Sequence, residues 1–114
     1  MQINIFYICF VLVLVVLFLY RTSYAKPIYW FYRKSCGYCK KMEHEWEKFE
    51  NRMSMSMKIK CIKIDTTDDR NRRLVKDFDI QSVPMIYKIE KGVRYKYEGN
   101  RVASEFENWA TRNE

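Results

Sequence analysis

Trp30-Phe31-Tyr32-Arg33-Lys34-Ser35-Cys36-Gly37-Tyr38-Cys39-Lys40-Lys41-Met42 is an aromatic run that stops at two basic residues and resumes around a Cys-x-x-Cys pair. With Pro27-Ile28-Tyr29 before it, the run 27–32 reads as a buried central strand bounded by Pro27 and Arg33-Lys34. From Gly37 to about Arg52 the pattern turns helical. Cys39, Met42, Trp46 and Phe49 share one face, and Lys40, Glu43, Glu47, Lys48 and Glu50 fill the solvent side. The junction therefore places Cys36 at the tip of a strand and the start of a helix. Unpaired backbone N–H groups and the positive end of the helix dipole favour a thiolate there. Cys39, one turn on, faces inward.

Downstream, Lys58-Ile59-Lys60-Cys61-Ile62-Lys63-Ile64 predicts a second strand closed by Asp65. Thr66-Thr67-Asp68-Asp69 supplies N-cap chemistry for a helix over about 69–78, with Leu74, Val75 and Phe78 inward. Val83-Pro84 interrupts the chain. Residues 85–90 and 93–98 predict a hairpin turning at Lys91-Gly92, with Val93, Tyr95 and Tyr97 on its buried face. Gly99-Asn100 leads into a last helix patterned by Val102, Phe106 and Trp109. The order strand, helix, strand, helix, strand, strand, helix predicts an α/β fold: a four-stranded mixed sheet flanked by helices, βαβ, then α, then ββα. Met53, Met55 and Met57 read as connector packing.

Upstream, residues 5–20 carry no charge. A spanning helix needs about 20 apolar residues, and a signal-peptide core is shorter. Two endings stay open. A single-pass anchor would end at Tyr20-Arg21. Alternatively, Ser23-Tyr24-Ala25 would support cleavage before Lys26, giving a secreted or luminal domain. Either way the chain divides into a membrane-directed segment, 1–25, and a domain, 26–114. Basic residues following the segment favour a cytosolic domain, whereas redox chemistry favours the oxidising side. The secretory pathway is the expected location.

The chain is 48% hydrophobic and 17% aromatic, enough for a core, and three Gly and two Pro argue for regular structure. Its net charge of +7 is scattered. Nucleic-acid binding wants a clustered basic stripe, and the short Arg70-Asn71-Arg72-Arg73 cluster has Asp68 and Asp69 beside it, so no nucleic acid is expected. Four cysteines, with Cys9 in the apolar segment and Cys61 alone, do not form a disulfide framework. A zinc site would need a second ligand pair, which Cys61 and His44 do not make, so no metal is expected.

These residues together resemble the thioredoxin superfamily over about 27–112, and in detail the catalytic domains of protein disulfide isomerases. Besides Cys36-Gly37-Tyr38-Cys39, the resemblance rests on Lys63-Ile64-Asp65-Thr66-Thr67-Asp68-Asp69, on Val83-Pro84 and on Tyr97-Glu98-Gly99-Asn100-Arg101. It departs from that pattern in lacking room for an extra strand and helix between residues 20 and 27. Ser35 replaces the usual Trp, and Trp30 stands where a buried acid usually moves protons to and from the second thiol. The glutathione-binding motif of glutaredoxins is absent.

The resemblance implies a thioredoxin-like fold and a thiol-disulfide oxidoreductase acting on protein substrates, with no bound cofactor and with a redox partner of unspecified identity. Cys36 attacks and Cys39 resolves, Gly37 and Tyr38 set the redox poise, Val83 and Pro84 form a substrate platform, and Arg101 acts as a charge partner for the second thiol. With Trp30 in the acid's place, proton transfer at Cys39 would use water, Arg101 or a substrate group. A glutathione-coupled reductase and a non-catalytic client-binding module are the alternatives.

Overall fold

The computed structural model describes residues 3–23 and 25–114, with 21–23 described by their backbone. An apolar helix, α1 (Ile5–Ser23), precedes β1 (Lys26–Tyr32), α2 (Gly37–Met53) and β2 (Ile59–Asp65). A 3-10 turn (Asp69–Asn71), α3 (Arg72–Asp77), β3 (Met85–Glu90), β4 (Val93–Lys96) and α4 (Ala103–Thr111) follow. The sheet order is β2-β1-β3-β4, so β1 is internal, as its apolar sequence requires, and β2 and β4 are the edges. β1 runs parallel to β2 and antiparallel to β3, and β3 and β4 form the hairpin.

The alternation of β1 divides the core. Ile28 and Trp30 face α2 and α4, where they meet Met42, Trp46, Phe49, Phe106 and Trp109. Phe31 faces the opposite side with Ile64 and Phe78. The Trp46, Phe49 and Phe106 rings meet edge to face at centroid distances of 5.2–6.1 Å. Such pairs add about 0.5–1.5 kcal/mol each beyond the area they bury.

Several elements differ from the sequence expectation. The predicted helix at 69–78 is a 3-10 turn followed by a short α3, because the Asp68 carboxylate accepts from the Arg70 backbone N–H and closes a tight first turn. β4 ends at Lys96 and Val93 is exposed on this edge strand, so within β4 only the half-buried Tyr95 packs on the core, joined by Tyr97 just beyond the strand. α4 begins at Ala103 with Val102 as its exposed cap residue. Met53 closes α2 in the core, whereas Met55 and Met57 are exposed.

Lys88 is a fully buried lysine on the β3 face beneath α4. Its Nζ donates to the Trp109 carbonyl at 2.7 Å and the Arg112 carbonyl at 3.0 Å, and pairs with Glu114 at 2.9 Å. Carbonyls at a helix C-terminus lack intrahelical partners, and this ammonium satisfies them while they offset its desolvation.

The large side chains of residues 5–20 are exposed along α1. Among the described residues, no helix is long and apolar enough to cross a membrane. The apolar stretch that follows Asn4, residues 5–20, covers sixteen residues; at ~1.5 Å per residue it reaches ~24 Å, short of a hydrocarbon core of ~30 Å. The expected spanning anchor therefore lacks support. Tyr24, within the expected cleavage signal, lies outside the described residues.

Candidate active site

Cys36 forms the junction between the strand-end loop and α2. Its backbone is extended (φ −79°, ψ 117°) and it serves as the N-cap of α2. The Cys39 backbone N–H donates to Cys36 Sγ at 3.1 Å. Sulfur thus takes the place of the Ser or Asp oxygen that usually caps a helix. Partial burial pushes the Cys36 thiol up. Hydrogen bonds from the Cys39 thiol and from the Cys39 and Tyr38 backbone N–H groups, with the charge of Arg33, outweigh it and hold the pKa below its ordinary value of 9.0.

Cys39 is in the opposite condition. It is buried, 3% exposed. Desolvation, the hydrogen bond it gives to Cys36 and the negative charge there push its pKa up to about 11, against smaller opposing effects of the Arg33 backbone and charge. Both thiols are free. One partly exposed thiol poised to ionise therefore sits one helical turn from a buried thiol that holds its proton. That asymmetry suits nucleophilic attack followed by internal resolution.

Of the other predicted residues, Val83 reaches Cys36, and Arg101 reaches Tyr38 between the two cysteines. The Cys36 thiol donates to the Val83 carbonyl at 3.8 Å, and the Val83-Pro84 peptide bond is cis. A groove of about 360 Å³ is lined by Met42, Val83, Pro84, Tyr97 and Arg101, among others. The Arg101 guanidinium lies 5.5 Å from the centroid of the exposed Tyr38 ring, and Lys41 Nζ lies 5.6 Å from it. Gly37 is exposed, with nothing within 4 Å of where a Cβ would stand. Gly99, by contrast, would drive a Cβ to 2.7 Å from Tyr97 Oη. That oxygen donates to the Asn100 carbonyl, while Glu105 accepts from the Asn100 backbone N–H at 2.8 Å, and these contacts hold the segment leading to Arg101.

Cys61 is remote from the pair. It belongs to the core between β2 and α2, and burial together with the charge of Glu50 pushes its thiol up to about 12. Among the described residues no cluster of His, Cys, Asp or Glu is arranged to hold a metal ion.

Residues 22–112 match the profile of the thioredoxin family. The chain belongs to this family. It is 38% identical over 72 residues to human protein disulfide-isomerase A4, a match covering 62% of this chain and 11% of that protein. It is 28% identical over 79 residues to the Drosophila melanogaster thioredoxin domain-containing protein 5 homolog, covering 68% and 19%. The first thioredoxin domain of mouse protein disulfide-isomerase A4 superposes with a TM-score of 0.67 at 27% identity, over 80% of this chain and 64% of that one. The J-Trx1 fragment of ERdj5 superposes at 0.68 with 21% identity, covering 77% and 41%, a likeness of fold. The chain thus spans under a fifth of the length of these two curated relatives.

Glu43 reads in sequence as ordinary helix surface, and Lys63 as the first residue of the 63–69 run that carries the resemblance. In the fold they meet at 3.5 Å beside Trp30. The available signal was the four-residue spacing from Cys39 to Glu43, which stacks the two on one side of a helix.

Proposed function

We propose that this chain is a thiol-disulfide oxidoreductase that exchanges disulfides with protein substrates. The opposed condition of Cys36 and Cys39 carries this reading: a partly exposed thiol held below its ordinary pKa, and a buried neighbour pushed up to about 11. The Cys36 thiolate attacks a substrate disulfide; a Cys36–substrate bond forms and the substrate's other sulfur leaves as thiolate. Cys39 then loses its proton and attacks Cys36 Sγ. The Cys36–Cys39 disulfide forms, and the first substrate sulfur leaves reduced. Run backwards, the same steps oxidise a substrate dithiol.

Val83 lies against Cys36 and borders the groove beside it, a position from which its backbone pairs with an extended substrate as an added strand would. Arg101 lines that groove and lies over the Tyr38 ring between the two cysteines, the position from which it would act as their charge partner. No bound cofactor takes part in these steps; turnover uses a second redox protein. Two curated relatives are named protein disulfide-isomerase A4 and thioredoxin domain-containing protein 5 homolog, and both names accord with this chemistry.

Insulin reduction and refolding of a scrambled disulfide substrate test the proposal. Cys36→Ser abolishes both activities, and Cys39→Ser traps mixed disulfides. Unchanged activity in both variants would leave only a client-binding role. The dithiol potential, by glutathione equilibration, gives the net direction: about −270 mV marks a thioredoxin-like reductant and about −180 mV an isomerase-like oxidant.

For location, α1 is proposed as the segment that directs domain 26–114 to the secretory membrane. Its support is the exposed apolar surface of a helix the domain core does not use. After translation with microsomes, a protected product beginning at Lys26 marks a cleaved signal, and an intact chain resisting carbonate extraction marks an anchor. An unprotected, extractable chain would overturn the location.

A further inference from the structure

Cys39 must give up a proton before it can resolve a mixed disulfide, yet its sulfur is buried where charge is costly. A cleft of about 250 Å³ runs past it, lined by Trp30, Tyr32, Arg33, Lys34, Cys39, Lys40 and Glu43. Three of these are cations, which have no proton site to fill at neutral pH. Tyr32 and Trp30 carry protons themselves. Glu43 is the one carboxylate in the lining.

Glu43 and Cys39 are one turn apart on α2, which places their Cβ atoms about 5–6 Å from each other. Lys63, paired with Trp30 across the β1–β2 ladder, holds that carboxylate from the sheet side. Its Nζ lies 3.5 Å from Glu43 Oε1, 5.1 Å from the Trp30 ring centroid and 4.9 Å from that of Tyr32. Trp30 forms one wall of the cleft. Its side chain is buried at 1% exposure, and its indole Nε1–H has no hydrogen-bond partner among the described residues. A cleft of this volume has room for water molecules.

We propose that Glu43, positioned by Lys63, takes the Cys39 proton through water held in the cleft during resolution. The proposal rests on the oxidoreductase reading above. In the step, the Cys39 S–H bond breaks as its proton passes to a cleft water, and that water gives a proton to the Glu43 carboxylate. The Cys39 sulfur forms its bond to Cys36 Sγ, the Cys36–substrate bond breaks, and the substrate leaves as thiolate. Glu43 then releases the proton to solvent or to that thiolate. In the oxidising direction the protonated carboxyl returns the proton to the departing Cys39 sulfur. The groups facing the sulfur and the carboxylate are Tyr32 of β1, Arg33, Lys34 and Cys36 of the loop, Lys40 of α2 and Lys63 of β2. Of these cations, Arg33 acts against the upward push on the Cys39 thiol. Glu43 is a positioning residue acting through water.

The experiment is stopped-flow reaction of the full chain, in detergent, with 5,5′-dithiobis(2-nitrobenzoate). Cys9→Ser and Cys61→Ser are present throughout, leaving only the dithiol to report. The first release of thionitrobenzoate reads attack by Cys36, and the second reads resolution by Cys39. Glu43 is half exposed, so Glu43→Gln leaves the circular dichroism unchanged. The expected result is an unaltered first phase and a second phase slowed roughly tenfold or more at neutral pH. The gap should close at alkaline pH as hydroxide takes over, and Glu43→Asp should restore part of the rate. A second phase that is unchanged, or slowed equally at every pH, overturns the relay. Absence of the first phase in the parent protein overturns the oxidoreductase reading, and the relay with it.

Discussion

The Cys36 thiol and the Val83 carbonyl face each other across 3.8 Å, from opposite ends of the strand-loop-helix and hairpin halves of the domain. A substrate cysteine approaching Cys36 must therefore pass beside the Val83 backbone. A disulfide peptide N-methylated at the residue flanking its reactive cysteine loses one hydrogen bond to that backbone. At about 1 kcal/mol per bond, kcat/KM should fall about fivefold relative to the unmethylated peptide. Equal rates would show that substrates do not pair there.

The thiols should separate by pH. Cys36 lies below its ordinary 9.0, whereas Cys39 and Cys61 lie at about 11 and 12. Iodoacetamide mapped by mass spectrometry should label Cys36 below pH 9 and leave Cys39 and Cys61 for strongly alkaline solution. Stability follows the same shifts. The depressed Cys36 stabilises the reduced fold above its unfolded pKa, and that contribution is lost as pH falls through its folded pKa. The raised Cys39 and Cys61 contribute fully below pH 9 and lose their contribution as pH rises through 11 and 12. Thermal melts of the reduced protein should therefore fall steeply above pH 9, and a flat profile would contradict the burial of both thiols.

Two glycines should behave oppositely. Gly99→Ala sets a methyl 2.7 Å from Tyr97 Oη and 2.9 Å from its Cζ. The ring cannot simply retreat, since it packs on Phe106 and Trp109 at 5.1 and 5.2 Å. The expected loss is about 1–3 kcal/mol in denaturant unfolding. Gly37→Ala meets open space and should leave stability level or slightly higher, since alanine suits a helix better.

Lys88→Met keeps much of the side-chain volume but removes the donor to the Trp109 and Arg112 carbonyls. It also strips Glu114 of its buried partner. Unfolding should become easier by about 1–3 kcal/mol, with the final turn of α4 losing amide-exchange protection first. Full retention of protection would assign the clamp to Lys26, which reaches Ala110 and Arg112 from the neighbouring strand.

The order of elements was legible because each carries its own period, aromatic in β1 and three-four spaced in α2. The strand-to-helix junction was legible for the same reason, and with it Cys36 and Cys39. Features set by two elements meeting were not. Lys88 reads as an outward strand residue until the C-terminus of α4 supplies carbonyls above it. Glu43 reads as helix surface until Lys63 arrives from β2. The 3-10 turn hid behind a correct capping signal, since Asp68 caps either helix type. Arg101 precedes the Val102 cap of α4, and its guanidinium lies over Tyr38.

β2 borders the sheet on one side, and its sequence Ile59-Lys60-Cys61-Ile62-Lys63-Ile64-Asp65 is rich in β-branched residues. An edge of that composition is a template for another chain. Lys60 and Lys63 stand along it, with Lys58 just before. Charged side chains, lysine above all, are a common means of discouraging a sheet edge from pairing with another chain. The strand that brings Lys63 to the carboxylate one turn from Cys39 thus carries on its open border the kind of side chain that disfavours sheet extension.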